Sequence, residues 1–391
     1  MATPRHLCAR TIGTLFVGLV LACAFGCRPA QSGGLAASED ENEPQPKEMV
    51  YRAYAPRALG DLADYEEHPC GEPPIQYVRA TATAQGRYWV LDDQSSRLFS
   101  FDAAFEHRQA HLTKQKVDLI RRADDGSLWA VVNEENRWRF LRRDRTGWQH
   151  LGDLPAMGRA EDAVGERQGR PALTTQEGET YWFDASGLVH VWTIPAPEDA
   201  PRRRWNRGRR TLASTNDGAL YVGREDGEFG GGLARIDVGT ANRRTVQTQA
   251  FDGPMTDIVV DPTDRRCVVS SNGTIHGNGN GLVVRACPDR VSVVLKEMQV
   301  PKQRTRWTVE ASEPFFKLVA NGSTVYALGD TENYAITGST THRLPAPTYT
   351  ERCGQTVARV EGLMLMRIPA LGRRDLPYER LGQNLFAMPA L

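Results

Sequence analysis

Carboxylates cluster in one glycine-rich segment, where the sequence comes closest to a site for a metal ion. Glu225, Asp226 and Glu228 lie within the run Gly223–Gly232, and carboxylate and carbonyl oxygens are the ligands that Ca²⁺ prefers. The run lacks the Asp-x-Asp-x-Asp spacing of a calcium loop, and no helix is expected after it, so it is not a nucleotide-binding loop. Two interpretations stay open: a calcium site, or a hairpin loop with solvated acids.

A second polar, glycine-rich loop covers Ser271–Gly281 and contains His276 and Asn278. Loops at the corresponding positions of other repeats carry further acids. These acids are Asp92, Asp93, Glu134, Glu135, Asp184, Asp330 and Glu332. A ring of such carboxylates would select cations or a basic partner, whereas ordinary hairpin loops are polar without any ligand.

Basic residues surround a tryptophan in the segment Pro201–Arg210, which includes Arg204 and Trp205. Arginine and tryptophan together favour interfaces, so an anionic partner is one interpretation: a polysaccharide, a lipid headgroup or an acidic protein. Lys302–Trp307 is a similar segment. The other interpretation is a solvated loop, because arginine greatly outnumbers lysine throughout this chain.

No catalytic or cofactor motif is recognisable, and we expect no cofactor. His107 and His111 have the spacing of a helical zinc pair, but they lie in a predicted strand, which would separate them by about 13 Å. They are therefore interpreted as surface histidines. The formal net charge is +0, which argues against nucleic-acid binding, since that needs a basic excess.

The N-terminus has the pattern of an export signal. Arg5 and Arg10 precede the apolar stretch Thr11–Phe25, which is too short to span a bilayer comfortably. Cleavage before Cys27 would leave this residue for lipidation, with Cys23 as the alternative site. An ordinary secretory signal with incidental cysteines is the other interpretation. The expected organisation is a signal peptide over residues 1–26, a flexible acidic tether over 27–48 and a single domain over 49–391.

Cysteine parity favours Cys27 and predicts two disulfides. Four cysteines remain after lipidation of Cys27, namely Cys70, Cys267, Cys287 and Cys353, an even set that suits an oxidising compartment. Cys70–Cys353 would join the first and last repeats, and Cys267–Cys287 would join neighbouring strands. The alternative is four independent buried thiols.

The elements that carry these residues are short strands in a repeat of about 40 to 50 residues. A polar residue and a glycine precede a β-rich run at residues 86, 126, 178, 218, 322 and 362, and Asp264–Arg265 opens one more unit. Such pairs indicate hairpins, with a type I′ turn as the expected geometry. The sequence therefore predicts an all-β fold, a β-propeller of seven four-stranded blades. Met49–Tyr54 is expected to supply a strand that the last blade lacks.

Two segments resemble known propeller repeats. Ala234–Thr240 is similar to the hairpin of YVTN-type and NHL-type bacterial propellers, and Asp125–Ala130 is similar to the repeats of bacterial sensor proteins. The resemblance implies the architecture alone, because these families include binders, scaffolds and enzymes. The quinoprotein docking motif is absent from the sequence.

We expect a lipid-anchored protein of the cell envelope, more specifically of the outer membrane, that acts as a binding or scaffold module. Its partner would be an envelope protein or a polysaccharide, docked on the face that carries the polar loops. The alternative is a metal-dependent hydrolase or lyase that uses Asp93, Glu225, Asp226 and His276 at the mouth of the channel.

Overall fold

The computed structural model describes most of the chain beyond residue 74. The described residues are 49–52, 57–58, 65–67, 70, 75–123, 125–134, 136–155, 163–167, 170–175, 179–183, 188–193, 209–225, 231–237, 242–245, 255–272, 274–275, 278–279, 281–296, 300–301, 310–311, 315–329, 332–368 and 385–391. All of their regular structure is β-strand. Within these ranges, no helix is long and apolar enough to cross a membrane.

Three consecutive sheets have five strands each. From inner to outer edge, the first sheet contains β4 (Val78–Ala84), β5 (Arg87–Asp92), β6 (Leu98–Phe101), β7 (Gln109–His111) and β3 (Tyr65–Glu67). The second contains β8 (Lys116–Arg122), β9 (Leu128–Glu134), β10 (Arg137–Asp144), β11 (Gly147–Pro155) and β2 (Arg57–Ala58). The third contains β12 (Ala163–Arg167), β13 (Arg170–Thr174), β14 (Glu179–Phe183), β15 (Leu188–Thr193) and β1 (Met49–Arg52).

The following sheets have four strands each. The fourth contains β16 (Arg209–Ser214), β17 (Ala219–Glu225), β18 (Gly231–Asp237) and β19 (Asn242–Thr245). The fifth contains β20 (Met255–Val260), β21 (Val268–Asn272), β24 (Leu282–Ala286) and β25 (Val291–Lys296). The sixth contains β28 (Phe315–Asn321), β29 (Thr324–Gly329), β30 (Asn333–Thr337) and β31 (Thr340–Arg343). The last contains β35 (Leu385–Pro389), β34 (Leu363–Arg367), β33 (Gln355–Val360) and β32 (Thr350–Arg352).

Two short ribbons complete the described strands. Strand β22 (Thr274–Ile275) pairs with β23 (Asn278–Gly279) inside the loop between β21 and β24. Strand β26 (Val300–Pro301) pairs with β27 (Glu310–Ala311).

The inner strands form a closed ring, which is the defining feature of a β-propeller. Strands β4, β8, β12, β16, β20, β28 and β35 contact one another in this order, and β35 also contacts β4. Two threonine hydroxyls of β4 donate to carbonyls of β35: Thr81 to Ala387 (3.4 Å) and Thr83 to Pro389 (2.6 Å). The predicted propeller fold is confirmed, whereas the prediction of four strands in every sheet is wrong for the first three.

Apolar side chains fill the gaps between neighbouring sheets. Between the first and second sheets, Trp89 and Leu91 pack against Leu141 and Trp148. Further clusters of the same kind occupy the other gaps. The gap between the first and last sheets, where the ring closes, is filled in the same way: Tyr88, Phe101 and Met366 belong to one apolar cluster there. Each sheet thus buries both of its faces, which a small sheet alone could not do.

The N-terminal segment lies along the outer edges of three sheets. Strands β3, β2 and β1 pair with β7, β11 and β15, so the chain adds an outer strand to the first, second and third sheets. The expectation that Met49–Tyr54 completes the last sheet is therefore wrong. The last sheet obtains its fourth strand from β35 instead. In this sheet the chain runs from the outermost strand, β32, to the innermost strand, β35.

The turn glycines occur in more than one geometry. At Gln85–Gly86 both residues have positive φ, 54° and 70°, as a type I′ turn requires. At Asp125–Gly126 and Asp217–Gly218 only the glycine does, at 80° and 83°, which fits a longer hairpin loop that ends in a left-handed glycine. The type I′ expectation is wrong at these two turns.

Two other turn glycines are wrongly placed in the predicted repeat. Gly178 lies outside the described residues, between β13 and β14, because β12 precedes them as the inner strand of the third sheet. Gly362 joins β33 to β34, not the innermost pair.

Both predicted disulfides are present. Cys70–Cys353 links the end of β3 to the turn between β32 and β33, and so joins the first and last sheets. Cys267–Cys287 joins the residues that flank the paired strands β21 and β24. The alternative of four independent thiols is excluded.

Candidate functional site

One end of the ring collects the beginnings of the inner strands and the loops that follow the second strands. The registers Val78↔Asp92, Lys116↔Asn133 and Met255↔Asn272 place these positions together. We call this end the loop face and the opposite end the turn face. The first three residues of the seven inner strands β4, β8, β12, β16, β20, β28 and β35 are called the mouth.

A β-bulge recurs at the mouth. In β4, β8, β20 and β28 the strand has one extra residue at its second or third position. The extra residues are Arg79, Asp118, Thr256 and Phe316. A bulge bends a strand and changes the direction of its side chains, so the bulges explain why charged groups can be placed at the ends of otherwise apolar inner strands.

Two ion pairs at the mouth are oriented alike. Nζ of Lys317 lies 2.9 Å from the carboxylate of Asp257, whose side chain is 10% exposed while that of the lysine is 39% exposed. Nζ of Lys116 lies 3.8 Å from the carboxylate of Asp118, with side-chain exposures of 61% and 7%. In both pairs the carboxylate is buried and the ammonium group faces solvent.

Asp257 also joins two sheets. Its carboxylate accepts the backbone N–H of Ile258 at 2.9 Å and that of Leu318, on the next inner strand, at 3.0 Å. The carboxylate therefore has hydrogen bonds and a cation that stabilise its charge in a buried position.

Basic residues outnumber acidic ones at the mouth. Its basic residues are Arg79, Lys116, Arg209, Arg210 and Lys317. Its acidic residues are Asp118 and Asp257. Among these residues, Lys116 and Lys317 are exposed, whereas both acids are buried.

Three of the sequence-predicted site residues lie in the described part of the loop face. Asp93 is exposed, and one of its carboxylate oxygens lies 3.7 Å from Arg79. Glu225 ends β17 opposite Arg209 and Gly231, which confirms that Gly223–Gly232 connects β17 to β18. Asn278 lies opposite Ile275 in the ribbon β22–β23. Asp226, Glu228, His276, Arg204, Trp205 and the lipidation candidate Cys27 lie outside the described residues.

The acids of neighbouring loops also have partners. The carboxylate of Asp92 accepts the backbone N–H of Ser95 (3.1 Å) and so closes its own turn. Glu134 pairs with Arg139 at 2.8 Å. Glu332 pairs with Arg343 at 2.7 Å and accepts the hydroxyl of Tyr334. A calcium ion would have to displace these partners, so their arrangement favours ordinary polar loops with ion pairs, the second of the two interpretations, at these three positions.

The one group of potential metal ligands in the described ranges is Asp264, Cys267 and Cys287. Both sulfur atoms belong to the disulfide, and a disulfide offers no thiolate to a metal. The carboxylate of Asp264 is instead bound to Arg266, which lowers the pKa of Asp264 to about 2. This group is structural.

The two histidines at zinc-like spacing have different environments. His107 is exposed and lies 3.6 Å from Asp102. His111 is buried, contrary to expectation, and its Nε2 lies 2.8 Å from Oγ of Ser100. Burial, with Arg143 and Arg87 nearby, lowers the pKa of His111 to about 3. This neutral histidine belongs to a cluster between the first and second sheets.

A cleft of about 880 Å³ lies beside the Cys70–Cys353 disulfide. It contains charged residues of both signs, including Glu67, Glu351 and Arg352, and Arg352 bridges the gap to Glu106 of the first sheet at 3.1 Å. The cleft has no basic excess of the kind found at the mouth.

The sequence did not identify Lys116, Asp118, Asp257 and Lys317. Each lies in a short strand whose pattern indicates core, and nothing in the spacing shows that a bulge aims it at the mouth. The usable signal was a charged residue at the start of a predicted inner strand, which is uncommon where both faces are buried.

Comparisons with known proteins are limited to the fold. No family model and no curated protein matches the sequence. Virginiamycin B lyase from Staphylococcus aureus is 12% identical with a TM-score of 0.48, over 76% of this chain and 96% of that one. The Dos1 propeller is 12% identical with a TM-score of 0.46, over 80% and 85%. YCF48 bound to D1 peptide is 12% identical with a TM-score of 0.45, over 79% and 96%. No functional residue is transferred from these proteins.

Proposed function

We propose that this chain is a binding module that docks an anionic partner at the mouth. The observation that carries the proposal is the orientation of the two ion pairs, in which Lys116 and Lys317 are exposed above the buried acids Asp118 and Asp257. A solvent-exposed ammonium over a buried carboxylate can still donate to a ligand, because it has N–H groups that face outward. Exposed charges of one sign also attract an oppositely charged partner over a distance.

Two basic segments precede mouth strands in the sequence. Pro201–Arg210 includes the first two residues of β16, and Lys302–Trp307 comes shortly before β28. We propose that both segments contribute to the same docking surface. Their arginines and tryptophans suit planar anionic groups, such as the carboxylates of an acidic polysaccharide.

The location and the lipid anchor belong to the same proposal. A lipid on Cys27, followed by the tether over residues 27–48, would hold the propeller near the outer membrane. The partner would then be an acidic envelope polysaccharide or an envelope protein with an acidic surface.

The blade number is also part of the proposal. We take each four- or five-stranded sheet as one blade, which gives a ring of seven. The closed order of contacts among the inner strands supports this count.

Binding of the full chain to polygalacturonate, with neutral dextran as a reference, tests the function. The variant Lys116→Gln/Lys317→Gln removes two exposed charges at the mouth. Arg145→Gln/Arg290→Gln is the matched control, because both arginines are exposed and lie in turns of the turn face.

We expect the wild type and the control to bind polygalacturonate, and the mouth variant to bind about tenfold more weakly. Neutral dextran should not bind. Equal affinities of the mouth variant and the control would refute the proposal, as would equal binding of the charged and neutral polymers.

A further inference from the structure

One arginine between the first and second sheets, Arg143, has no ion pair or side-chain hydrogen bond within the part of the chain that the structure describes. Arg143 is the penultimate residue of β10, near the turn face, and its Nε is buried without a hydrogen bond. No ion pair or hydrogen bond of its guanidinium is found within the described part of the chain. A guanidinium has five N–H donors, so this group retains its capacity to bind.

Two tryptophans hold the Arg143 guanidinium. Its Cζ lies 5.3 Å from the ring centroid of Trp89 and 5.9 Å from that of Trp148, which is within the range of cation–π contacts. Both tryptophans are buried. The rings hold the guanidinium in place, but they accept no hydrogen bond in its plane, because aromatic rings have no lone pair there. The N–H groups of the guanidinium therefore stay available to a ligand.

A second arginine adds to the positive charge. Nε of Arg87 donates to Oγ of Ser100 at 2.9 Å, and its Nη2 donates to the carbonyl of His107 at 3.1 Å. Burial and the neighbouring Arg87 lower the pKa of Arg143, and burial lowers that of Arg87. The buried His111 beside them stays neutral for the same reasons.

The nearest acids are engaged elsewhere. Asp102 accepts the backbone N–H groups of Ala104 (3.0 Å) and Glu106 (2.8 Å) in its own turn. Asp144 accepts the backbone N–H of Thr146 at 2.7 Å and the side-chain amide of Gln149 at 2.5 Å. Neither carboxylate lies within ion-pair distance of Arg87 or Arg143 among the described contacts.

Three other arginines, each on the third strand of its sheet, do have carboxylate partners. Arg142, the preceding residue, binds Asp125, and Arg235 binds Asp217 at 2.8 Å. Arg285 binds Asp261. Arg143 differs from these arginines because, among the described residues, no carboxylate lies within ion-pair distance of its guanidinium.

We propose that Arg143, held by Trp89 and Trp148 and supported by Arg87, binds an oxyanion: a carboxylate, sulfate or phosphate group. Two oxygens of such a group match the planar fork of a guanidinium. The anion would also offset the repulsion between the two arginines, which Asp144 and Asp102 offset only from beyond ion-pair distance. This site lies at the turn-face end of the interface between two sheets, away from the mouth, and is independent of the proposed function.

The test uses the full chain in chloride buffer, with Lys116→Gln/Lys317→Gln as background so that the mouth does not contribute. Glucuronate, sulfate and inorganic phosphate are titrated separately, which distinguishes the three sources of the oxyanion. Tryptophan fluorescence and the thermal midpoint are the readouts, because Trp89 and Trp148 contact the guanidinium. The variants are Arg143→Gln, Arg143→Lys and the control Arg145→Gln, an exposed arginine of the adjacent turn.

We expect at least one probe to give a saturable fluorescence change and to raise the thermal midpoint in the background and in the Arg145→Gln variant. Arg143→Gln should abolish both responses, and Arg143→Lys should weaken binding about tenfold, since lysine keeps the charge but loses the fork. If Arg143→Gln does not fold, the weaker binding expected of Arg143→Lys is the deciding result. Absence of a response to all three probes would overturn the proposal, as would an unchanged response in the Arg143 variants.

Discussion

Arginines on third strands hold the aspartates of neighbouring turns in three sheets. Asp125 is bound by Arg142, Asp217 by Arg235 and Asp261 by Arg285. The same aspartates close their turns, as when the Asp261 carboxylate accepts the N–H of Thr263 at 2.8 Å. The sequence predicted these turns from Asp125–Gly126, Asp217–Gly218 and Asp264–Arg265. It did not predict the arginine partners, because their separation from the aspartate varies with the loop between the second and third strands.

The most buried of these pairs should matter most for stability. Asp261 is 1% exposed, and its partner Arg285 also donates to the carbonyl of Gly338 at 2.9 Å, which ties the fifth sheet to the sixth. Asp261→Asn should lower the free energy of unfolding by about 3 kcal/mol, because it leaves a half-buried guanidinium without its counter-charge. Urea denaturation of the purified chain measures this loss.

Asp264→Asn is the control for that prediction. Asp264 caps a neighbouring turn and pairs with Arg266 at 2.9 Å, but its carboxylate is exposed to solvent, which screens the pair. Asp264→Asn should therefore lower the free energy of unfolding clearly less than Asp261→Asn does. Equal losses at the two positions would mean that burial does not determine the strength of these pairs.

The neutral His111 gives stability a pH dependence. Its pKa is about 3 in the folded chain, against an ordinary value of 6.5, because it is buried beside Arg143 and Arg87. Below pH 6.5 the unfolded chain takes up a proton that the folded chain cannot, so stability falls as the pH falls. The expected loss is about 2 kcal/mol between pH 6.5 and pH 5.

Comparison of two variants over that pH range isolates the contribution of His111 to the pH dependence of stability. His111→Gln should flatten the pH dependence of the unfolding free energy, whatever its effect at neutral pH. His342→Gln removes an exposed histidine and should retain the slope of the wild type. An unchanged slope in His111→Gln would contradict the assignment. The aspartates with lowered pKa values act only at lower pH, near and below 3.8.

At the scale of elements, the sequence predicted local hairpins better than their place in a sheet. The turns at Gly86, Gly126, Gly218 and Gly322 do join the innermost pair of strands. Gly178 and Gly362 do not, because a turn residue fixes a local backbone geometry and carries no information on which strands precede the hairpin. The same limit explains the misplacement of Met49–Arg52, which pairs with β15, since an amphipathic strand fits any open sheet edge.

The two disulfides should contribute unequally to stability. Cys70–Cys353 spans 283 residues, whereas Cys267–Cys287 spans 20. Because the longer loop loses more conformational entropy when it is closed in the unfolded chain, Cys70→Ser/Cys353→Ser should destabilise the protein by about 2 kcal/mol more than Cys267→Ser/Cys287→Ser.

Thermal and urea unfolding of the two double variants measure this difference. The comparison is matched, because each variant replaces two cysteines by serine. A larger loss for Cys267→Ser/Cys287→Ser would indicate that the packing around these buried sulfurs outweighs loop length.

At the scale of the whole molecule, ring closure determines which residues can act together. Lys116 and Lys317 are about two hundred residues apart in the sequence, yet both belong to the mouth because all inner strands begin at the loop face. Sequence analysis predicted the propeller and this face from repeated turns. It could not predict the charge balance of the mouth, which depends on bulges and on which member of each ion pair is buried.

The proposed docking at the mouth has a salt dependence that follows from its electrostatic origin. Affinity of the wild type for polygalacturonate should fall steadily as sodium chloride is added, because mobile ions screen exposed charges. The variant Lys116→Gln/Lys317→Gln should depend less steeply on salt, since fewer charges are involved. Parallel salt dependences of the two proteins would place the contact elsewhere on the surface.

Closure of the ring is the claim on which the loop face and its mouth depend, and disulfide mapping tests it most directly. Proteolysis of the unreduced full chain, followed by mass spectrometry, identifies the linked cysteines without any substitution. A closed ring predicts one linked pair of peptides containing Cys70 and Cys353, and the pairing of β21 with β24 predicts a second containing Cys267 and Cys287. A link from Cys70 to Cys267 or Cys287, or free thiols at Cys70 and Cys353, would contradict a first sheet that lies beside the last.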